Sequence, residues 1–307
     1  MVIQIRCFDG KDLPILVKLL NEKYADSYEF VPYTLDGLLS SIKEDNLKVL
    51  LAEENGEVLG SAAYHEGHWG EEIEWLAVSK IPKQKLVKEA LVSEVEKQVK
   101  GEAVFTVVDA ESPEIEEWIE RGYKAEGGLY HMVARLDGLK SLPKIPEGTV
   151  LRSLKPDEEE KFVEAVNAGF GRERVALGNI ERWKSESPPF NEDWIHVAER
   201  DNKIVSVVVS RPDTEYNKFF NSKRGYLGPA ATLPEYRGKN LASALTCRAM
   251  NFLYEKGMNS VALYTSEENI PSITLLQKLD FKVGHHWRFI RKKLANSKRQ
   301  YEKLLKE

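Results

Sequence analysis

The chain has 307 residues, 42% of them hydrophobic and 30% charged, the proportions of a globular protein with room for two domains and unlike a disordered or membrane chain. A net charge of −5 excludes a dominant nucleic-acid surface, which needs a concentrated basic face. With only Cys7 and Cys247 and no CxxC spacing, neither a disulfide framework nor a zinc site is implied.

The first residues, Met1 to Arg6, lack a charged leader followed by an apolar stretch, and no apolar run approaches a membrane span, so a cytoplasmic protein with no membrane partner is expected. Periodicity predicts strand Val2–Cys7, helices over Leu13–Lys23 and Leu35–Glu44, and strands Lys48–Ala52, Val58–Tyr64 and Ile73–Val78. A helix Lys85–Lys100, strand Ala103–Val108, helix Pro113–Arg121 and strand Leu129–Arg135 follow. His65 and His68 are assigned to a glycine-containing turn, and His285 and His286, being adjacent, face opposite sides of a strand; no metal site is expected.

Asp137 to Thr149 carries two prolines and two glycines and reads as a linker. The order of elements then recurs: strand Thr149–Leu154, helices Asp157–Ala168 and Ile180–Lys184, and strands Trp194–Glu199, Ile204–Arg211 and Gly225–Thr232. Helix Leu241–Lys256, strand Ser260–Thr265, helix Pro271–Leu279 and strand Val283–Arg291 complete it. The halves look like copies, giving domains over 1–136 and 150–291, the linker 137–149 between them and a charged extension over 292–307. Alternation of helices and strands with a three-strand run in each half predicts an α/β fold with a mixed, α+β-like sheet, mostly antiparallel and flanked by helices.

The segment from Gly225 to Met250 reads as a strand, a proline-marked turn and a strongly periodic helix. Gly238 lets backbone approach an anion, the first helical turn offers N–H groups with no intrahelical partner, and Arg237 and Lys239 add positive charge. The same residues also suit an ordinary basic surface turn. A P-loop is excluded because Leu233 and Asn240 stand where Gly and Ser or Thr are required, and no GxGxxG follows a strand.

Thr232-Leu-Pro-Glu-Tyr-Arg-Gly-Lys-Asn-Leu-Ala242 resembles the acetyl-CoA signature of the Gcn5-related N-acetyltransferase (GNAT) family, Arg/Gln-x-x-Gly-x-Gly/Ala after a strand and a Pro. Asn240 stands in place of the central Gly, and Asn tolerates the left-handed conformation better than most residues. Asn269 to Phe281 resembles a second family segment, with Asn269 either an N-cap or facing the pantetheine arm, and Ile273, Leu276 and Phe281 in the core. The resemblance covers roughly Thr149–Arg291 and implies two GNAT-like domains in tandem. It further implies acetyl-CoA as co-substrate, bound by Ala230, Ala231, Thr232, Arg237, Gly238, Lys239, Asn240, Leu241, Ala242 and Asn269, and a small-molecule or peptide amine as acceptor. A family Tyr that protonates the leaving thiolate is here Leu276; Tyr264, Glu267 and Glu268 are the candidate substitutes, and Cys247 is assigned to packing. The first half resembles a degenerate domain of the same family, since Ser79 to Leu86 contains no glycine where the cradle belongs. Two readings follow, a two-domain N-acetyltransferase and a non-catalytic CoA-binding or regulatory protein; oligomeric state stays open.

Overall fold

The computed structural model describes residues 3–67 and 70–294, so His68 and residues 295–307 of the charged extension lie outside the described residues. Two compact units divide the chain: the first takes residues up to Gly128 and again from His286, the second Leu129–His285. No described helix is long and apolar enough to cross a membrane.

In chain order the elements are β1 (Gln4–Cys7), α1 (Leu13–Tyr24), α2 (Leu35–Glu44), β2 (Lys48–Glu54), β3 (Glu57–Gly67), β4 (Gly70–Val78), α3 (Gln84–Gln98), β5 (Ala103–Asp109), α4 (Glu114–Glu120) and β6 (Lys124–Arg135). They continue with β7 (Thr149–Ser153), α5 (Glu159–Phe170), α6 (Asn179–Glu186), β8 (Ile195–Arg200), β9 (Lys203–Pro212), α7 (Thr214–Phe220) and β10 (Arg224–Thr232). The last are α8 (Leu241–Glu255), β11 (Ser260–Ser266), α9 (Ile270–Lys278) and β12 (Lys282–Lys293). The fold is mixed α/β.

The first unit orders its strands β1-β2-β3-β4-β5-β12 and the second β6-β11-β10-β9-β8-β7. Neighbours are antiparallel except β4 with β5 and β10 with β11. The last strand of each sequence half therefore lies in the sheet of the other: β12 pairs β5, with Trp287 opposite Asp109, and β6 pairs β11, with Arg135 opposite Ser260. The boundaries between the units fall within β6 and β12 and do not follow the linker. Strand pairing is a non-local choice, which period-2 patterning does not encode.

Local chemistry explains why the two units repeat. Hairpins β2–β3 and β8–β9 close through Asn55-Gly56 and Asp201-Asn202, all four with positive φ, the combination a type I′ turn demands. An arginine on the first strand of each unit then ties that strand to a neighbour. Arg6 holds Asp12 through two hydrogen bonds of 2.7 and 2.9 Å and Glu53 through one of 2.6 Å. Arg152 holds Glu158 through bonds of 2.7 and 2.9 Å and also Glu199, its acid partners standing at the same sequence separations as those of Arg6. The two units thus share side-chain networks as well as element order.

Helices pack by burying residues three and four apart, Leu16, Leu19 and Leu20 on α1 and Leu241, Ala244 and Leu245 on α8. In the first unit α1 joins a cluster containing Leu38, Ala63, Trp75 and Ala77, and α3 joins one containing Leu50, Tyr64 and Ile73, so its sheet is covered on two faces. In the second, a single cluster runs from Phe162 and Trp183 to Leu245 and Met250. Gly225 on β10 permits the approach of α8, because a Cβ there would lie 2.6 and 2.7 Å from the methyl carbons of buried Leu253. Gly225→Ala is expected to destabilise the protein by about 1–3 kcal/mol, read as a lowered urea midpoint at unchanged slope.

Candidate functional site

The two parallel strands at the middle of the second unit pair only from Arg224 opposite Ser260 to Tyr226 opposite Ala262. Both continue beyond that point, β10 to Thr232 and β11 to Ser266, without pairing to each other any further. A bulge assists the parting, since the register of β10 on β9 shifts between Leu227 and Ala230, around Gly228 and Pro229. Ala230, Ala231 and Thr232 stay paired to Val208, Val207 and Ser206. Ser206 Oγ reinforces them, donating to the Ala231 carbonyl at 3.1 Å and lying 2.7 Å from Thr232 Oγ1.

Past Thr232, a short 3-10 turn at Pro234–Tyr236 leads into the loop that begins α8. Gly238 adopts φ +73° and Asn240 φ +61°, so two left-handed residues separated by Lys239 turn the chain into the helix. The N–H groups of residues 238–243 find no acceptor among the described residues, and Ala244 is the first to bond back, to the Asn240 carbonyl at 2.9 Å. A Cβ on Gly238 would meet nothing within 4 Å. The loop thus presents consecutive N–H groups and a helix N-terminus to open space, a geometry that suits a diphosphate.

The charged side chains expected to help hold an anion are occupied by main-chain carbonyls. Arg237 donates to the Gly169 carbonyl at 2.7 Å and to that of Thr232 at 3.2 Å. Gly169 lies in the last turn of α5, whose carbonyls lack helical partners, so the guanidinium caps that helix and pins the loop. Lys239 Nζ bonds the Glu235 carbonyl at 2.9 Å above the Tyr236 ring, and Asn240 Nδ2 bonds the Lys144 carbonyl at 3.3 Å. Leu241 is buried and Ala242 half-buried at the helix start.

Asn269 caps α9, accepting from the Ser272 N–H at 3.3 Å. Leu276 is buried in the main core. Tyr264, 46% exposed on β11, has its ring centroid 4.8 Å from that of His131 and 6.1 Å from that of Tyr226. Glu267 is half-buried; Glu268 is exposed, its N–H on Ser266 Oγ at 3.3 Å. Cys247 is buried.

Three residues that the sequence reading did not single out join Tyr264 in a row across four neighbouring strands. Arg211 on β9 stands opposite Tyr226 on β10, and Tyr264 on β11 stands opposite His131 on β6. Burial pushes the Tyr226 phenol up, Arg211 and Arg174 pull it down, and it receives a hydrogen bond from the Tyr264 main chain. His131 belongs by sequence to the first half and reaches this row only through the strand exchange. Tyr226 lay within the segment described above, and its signal was an aromatic two residues before Gly228-Pro229.

The first unit keeps the parting of β4 and β5, which pair only from Glu71 to Ile73, and has a bulge at the matching place, with Ala63 opposite Trp75 and Tyr64 opposite Ile73. No residue from Ser79 to Leu86 has a positive φ, and Lys83 and Lys85 are paired with Glu54 and Glu120. His65 lies on β3 and not in a turn, because β3 and β4 extend to a pairing of Gly67 with Gly70. It stands opposite Glu72, and with bulged Glu74 the three offer ligand-type atoms within 4.8 Å of one another. Burial, and the charge of Glu74, push Glu72 up to about 7.

The parallel pair that splays beside a bulge recurs in both units, and in the second it stands next to a glycine-turned helix start, the arrangement of an acetyltransferase-like fold. Residues 150–273 match the family model described as an acetyltransferase (GNAT) domain. A GCN5-related N-acetyltransferase from Sphaerobacter thermophilus shares the fold at TM-score 0.70 and 18% identity, over 95% of this chain and 96% of that one. A tandem GNAT protein of the clavulanic acid biosynthesis pathway does so at TM-score 0.67 and 15% identity, over 96% and 100%. Residues 150–273 thus match a GNAT domain, and the chain shares the fold of these GNAT proteins. Among curated proteins it is 28% identical to the mycothiol acetyltransferase of Frankia casuarinae, over 47% of this chain and 46% of that protein. To the mycothiol acetyltransferase of Renibacterium salmoninarum it is 26% identical, over 52% and 49%. The chain spans about half the length of the curated relatives it matches.

Proposed function

We propose that this protein is an N-acetyltransferase that moves an acetyl group from acetyl-CoA to a primary amine of a small molecule or peptide, with the donor held in the second unit. The observation that carries this reading is the opening between β10 and β11 beside the unbonded N–H groups of residues 238–243. In this reading Gly238, Lys239, Asn240, Leu241 and Ala242 take the diphosphate on their main chain. The edge of β10 at Ala230–Thr232 takes the pantetheine amides as an added strand would. Arg237 and Asn269 contribute by fixing the loop and α9.

Transfer forms a C–N bond at the acetyl carbonyl and breaks the thioester C–S bond, giving an N-acetyl product and CoA thiol. The amine surrenders a proton and the departing sulfur takes one up. Tyr264 borders the parting, Glu267 and Glu268 follow at the end of β11, and these three remain the proposed proton carriers; the Tyr226 hydroxyl joins them as a group at the splay. The fully packed Leu276 supports the competing reading, a CoA-binding protein without transfer, because it removes the family's proton donor. Purified protein mixed with acetyl-CoA and primary amines is expected to release CoA thiol at a rate that depends on the amine. Amine-independent background alone, from a protein that still binds acetyl-CoA, would favour the binding protein.

A further inference from the structure

Resting on the transferase reading, we propose that the acceptor carries a carboxylate close to its amine, and that Arg211, with Arg174, receives it. Arg211 extends from β9 opposite Tyr226, at the last paired position before β10 and β11 part. Its guanidinium carbon lies 5.0 Å from the Tyr226 ring and 5.8 Å from the Trp183 ring. Two aromatic faces therefore fix the plane of its donor fork without using the N–H groups. Among the described residues no carboxylate or carbonyl accepts from that fork. Arg174, between α5 and α6, is likewise without an acid partner and lies 5.9 Å from the Phe170 ring.

Four other arginines withdrawn from solvent hold acids, Arg6 with Asp12, Arg121 with Glu96, Arg152 with Glu158 and Arg224 with Asp213, while Arg248 reaches only the Ser153 hydroxyl, at 3.5 Å. Asp213, whose charge acts on Tyr226, is thereby engaged by Arg224 at 2.8 Å. A partly buried cation that lacks its anion is disfavoured, and a ligand carboxylate would complete it through a bidentate pair. The repeat supplies an internal control. In the first unit the cross-strand pair at the matching place, opposite the bulge, is His65 with Glu72. His65 stands there in the place of Arg211 and Glu72 in that of Tyr226, so the fold does not itself require an arginine at this position.

The test uses the full chain, saturating acetyl-CoA and matched acceptors that differ only by the carboxylate: L-alanine against ethylamine, L-phenylalanine against phenethylamine, L-lysine against cadaverine. The carboxylated member of at least one pair is expected to have the higher kcat/KM by about tenfold or more, the scale of a charge-assisted hydrogen bond. Arg211→Gln is expected to erase that preference through KM while acetyl-CoA, titrated separately, binds within about twofold of the parent. Arg211→Lys, which lacks the planar fork, should recover only part of it. A parent that prefers the decarboxylated amines, a preference untouched in Arg211→Gln, or no carboxylated amine acetylated by a protein that binds acetyl-CoA would overturn the inference. Failure to bind acetyl-CoA at all is a different result and removes the transferase reading itself.

Discussion

Calorimetric titration of acetyl-CoA into the protein is expected to saturate near about one equivalent per chain, and the Arg237→Glu, Gly238→Pro double variant to show no such binding. Each change has its own cause. Proline fixes φ near −65° where Gly238 has +73° and removes one of the N–H groups that face open space. Glutamate at 237 loses the bond to the Gly169 carbonyl and sets a negative charge at the carbonyl end of α5. With hydrogen bonds to charged groups worth about 1.5–3 kcal/mol each, losing two of them weakens binding by roughly a hundredfold or more. Asn240→Gly is the control. Residue 240 is already left-handed, at φ +61°, so glycine there relieves the backbone and binding should persist. Binding that survives in the double variant would remove residues 237–242 from the donor site.

Acid is expected to destabilise the second unit through His196. This imidazole is buried on β8, against the Phe252 ring at 5.2 Å. The Ser210 hydroxyl, 3.0 Å from Nε2, spends its one hydrogen on the Trp194 carbonyl, so Nε2 is the protonated nitrogen and donates to it. Nδ1 is left buried with no partner. Protonating it would strand a charge and an N–H; burial, with Arg248 nearby, accordingly holds the imidazole down to about 3. The unfolded chain takes up that proton below its ordinary value near 6.5, whereas the folded one does not, so stability is complete above that pH and falls as pH drops towards 3. The gap amounts to about 4–5 kcal/mol at its acid limit, a large share of a typical folding free energy. Glu72 acts oppositely in the first unit: its raised value gives stability that is present below its ordinary range and lost as pH rises towards 7. The comparison must therefore be differential, with urea midpoints of the parent and His196→Gln followed from pH 7 to pH 4. The parent's midpoint should fall more steeply, and equal slopes would discard the assignment.

Most of the architecture was legible because its signals are local. Helix Leu35–Glu44, read from its apolar periodicity, coincides with α2, which the structure shows capped by Thr34. The meander strands were found within a few residues, and the loop with Gly238 and Asn240 was visible because unusual φ values leave their mark in residue type. Helix α7 was missed: Thr214–Phe220 has no buried residue and hence no apolar stripe towards the core. The strand exchange was missed because β6 and β12 read as ordinary closing strands, and nothing in their alternation names a partner. The row of Arg211, Tyr226, Tyr264 and His131 shares that difficulty, since only Tyr264 was singled out and the other three meet it through register. Arg237 and Lys239 were noticed for their charge, while the carbonyls that hold them come from residues no spacing rule connects.

The exchange of β6 and β12 also fixes a timetable. As the chain leaves the ribosome, β1 to β5 emerge with the cluster around Leu50, Tyr64 and Ile73 largely in hand, yet Asp109 must wait for Trp287. Until then β5 carries an open row of main-chain donors and acceptors, the kind of edge on which nascent chains misassociate. The second sheet has no such delay, because its outermost contribution from the first half, β6, is already made when β11 arrives. The part of the protein begun first is the part completed last.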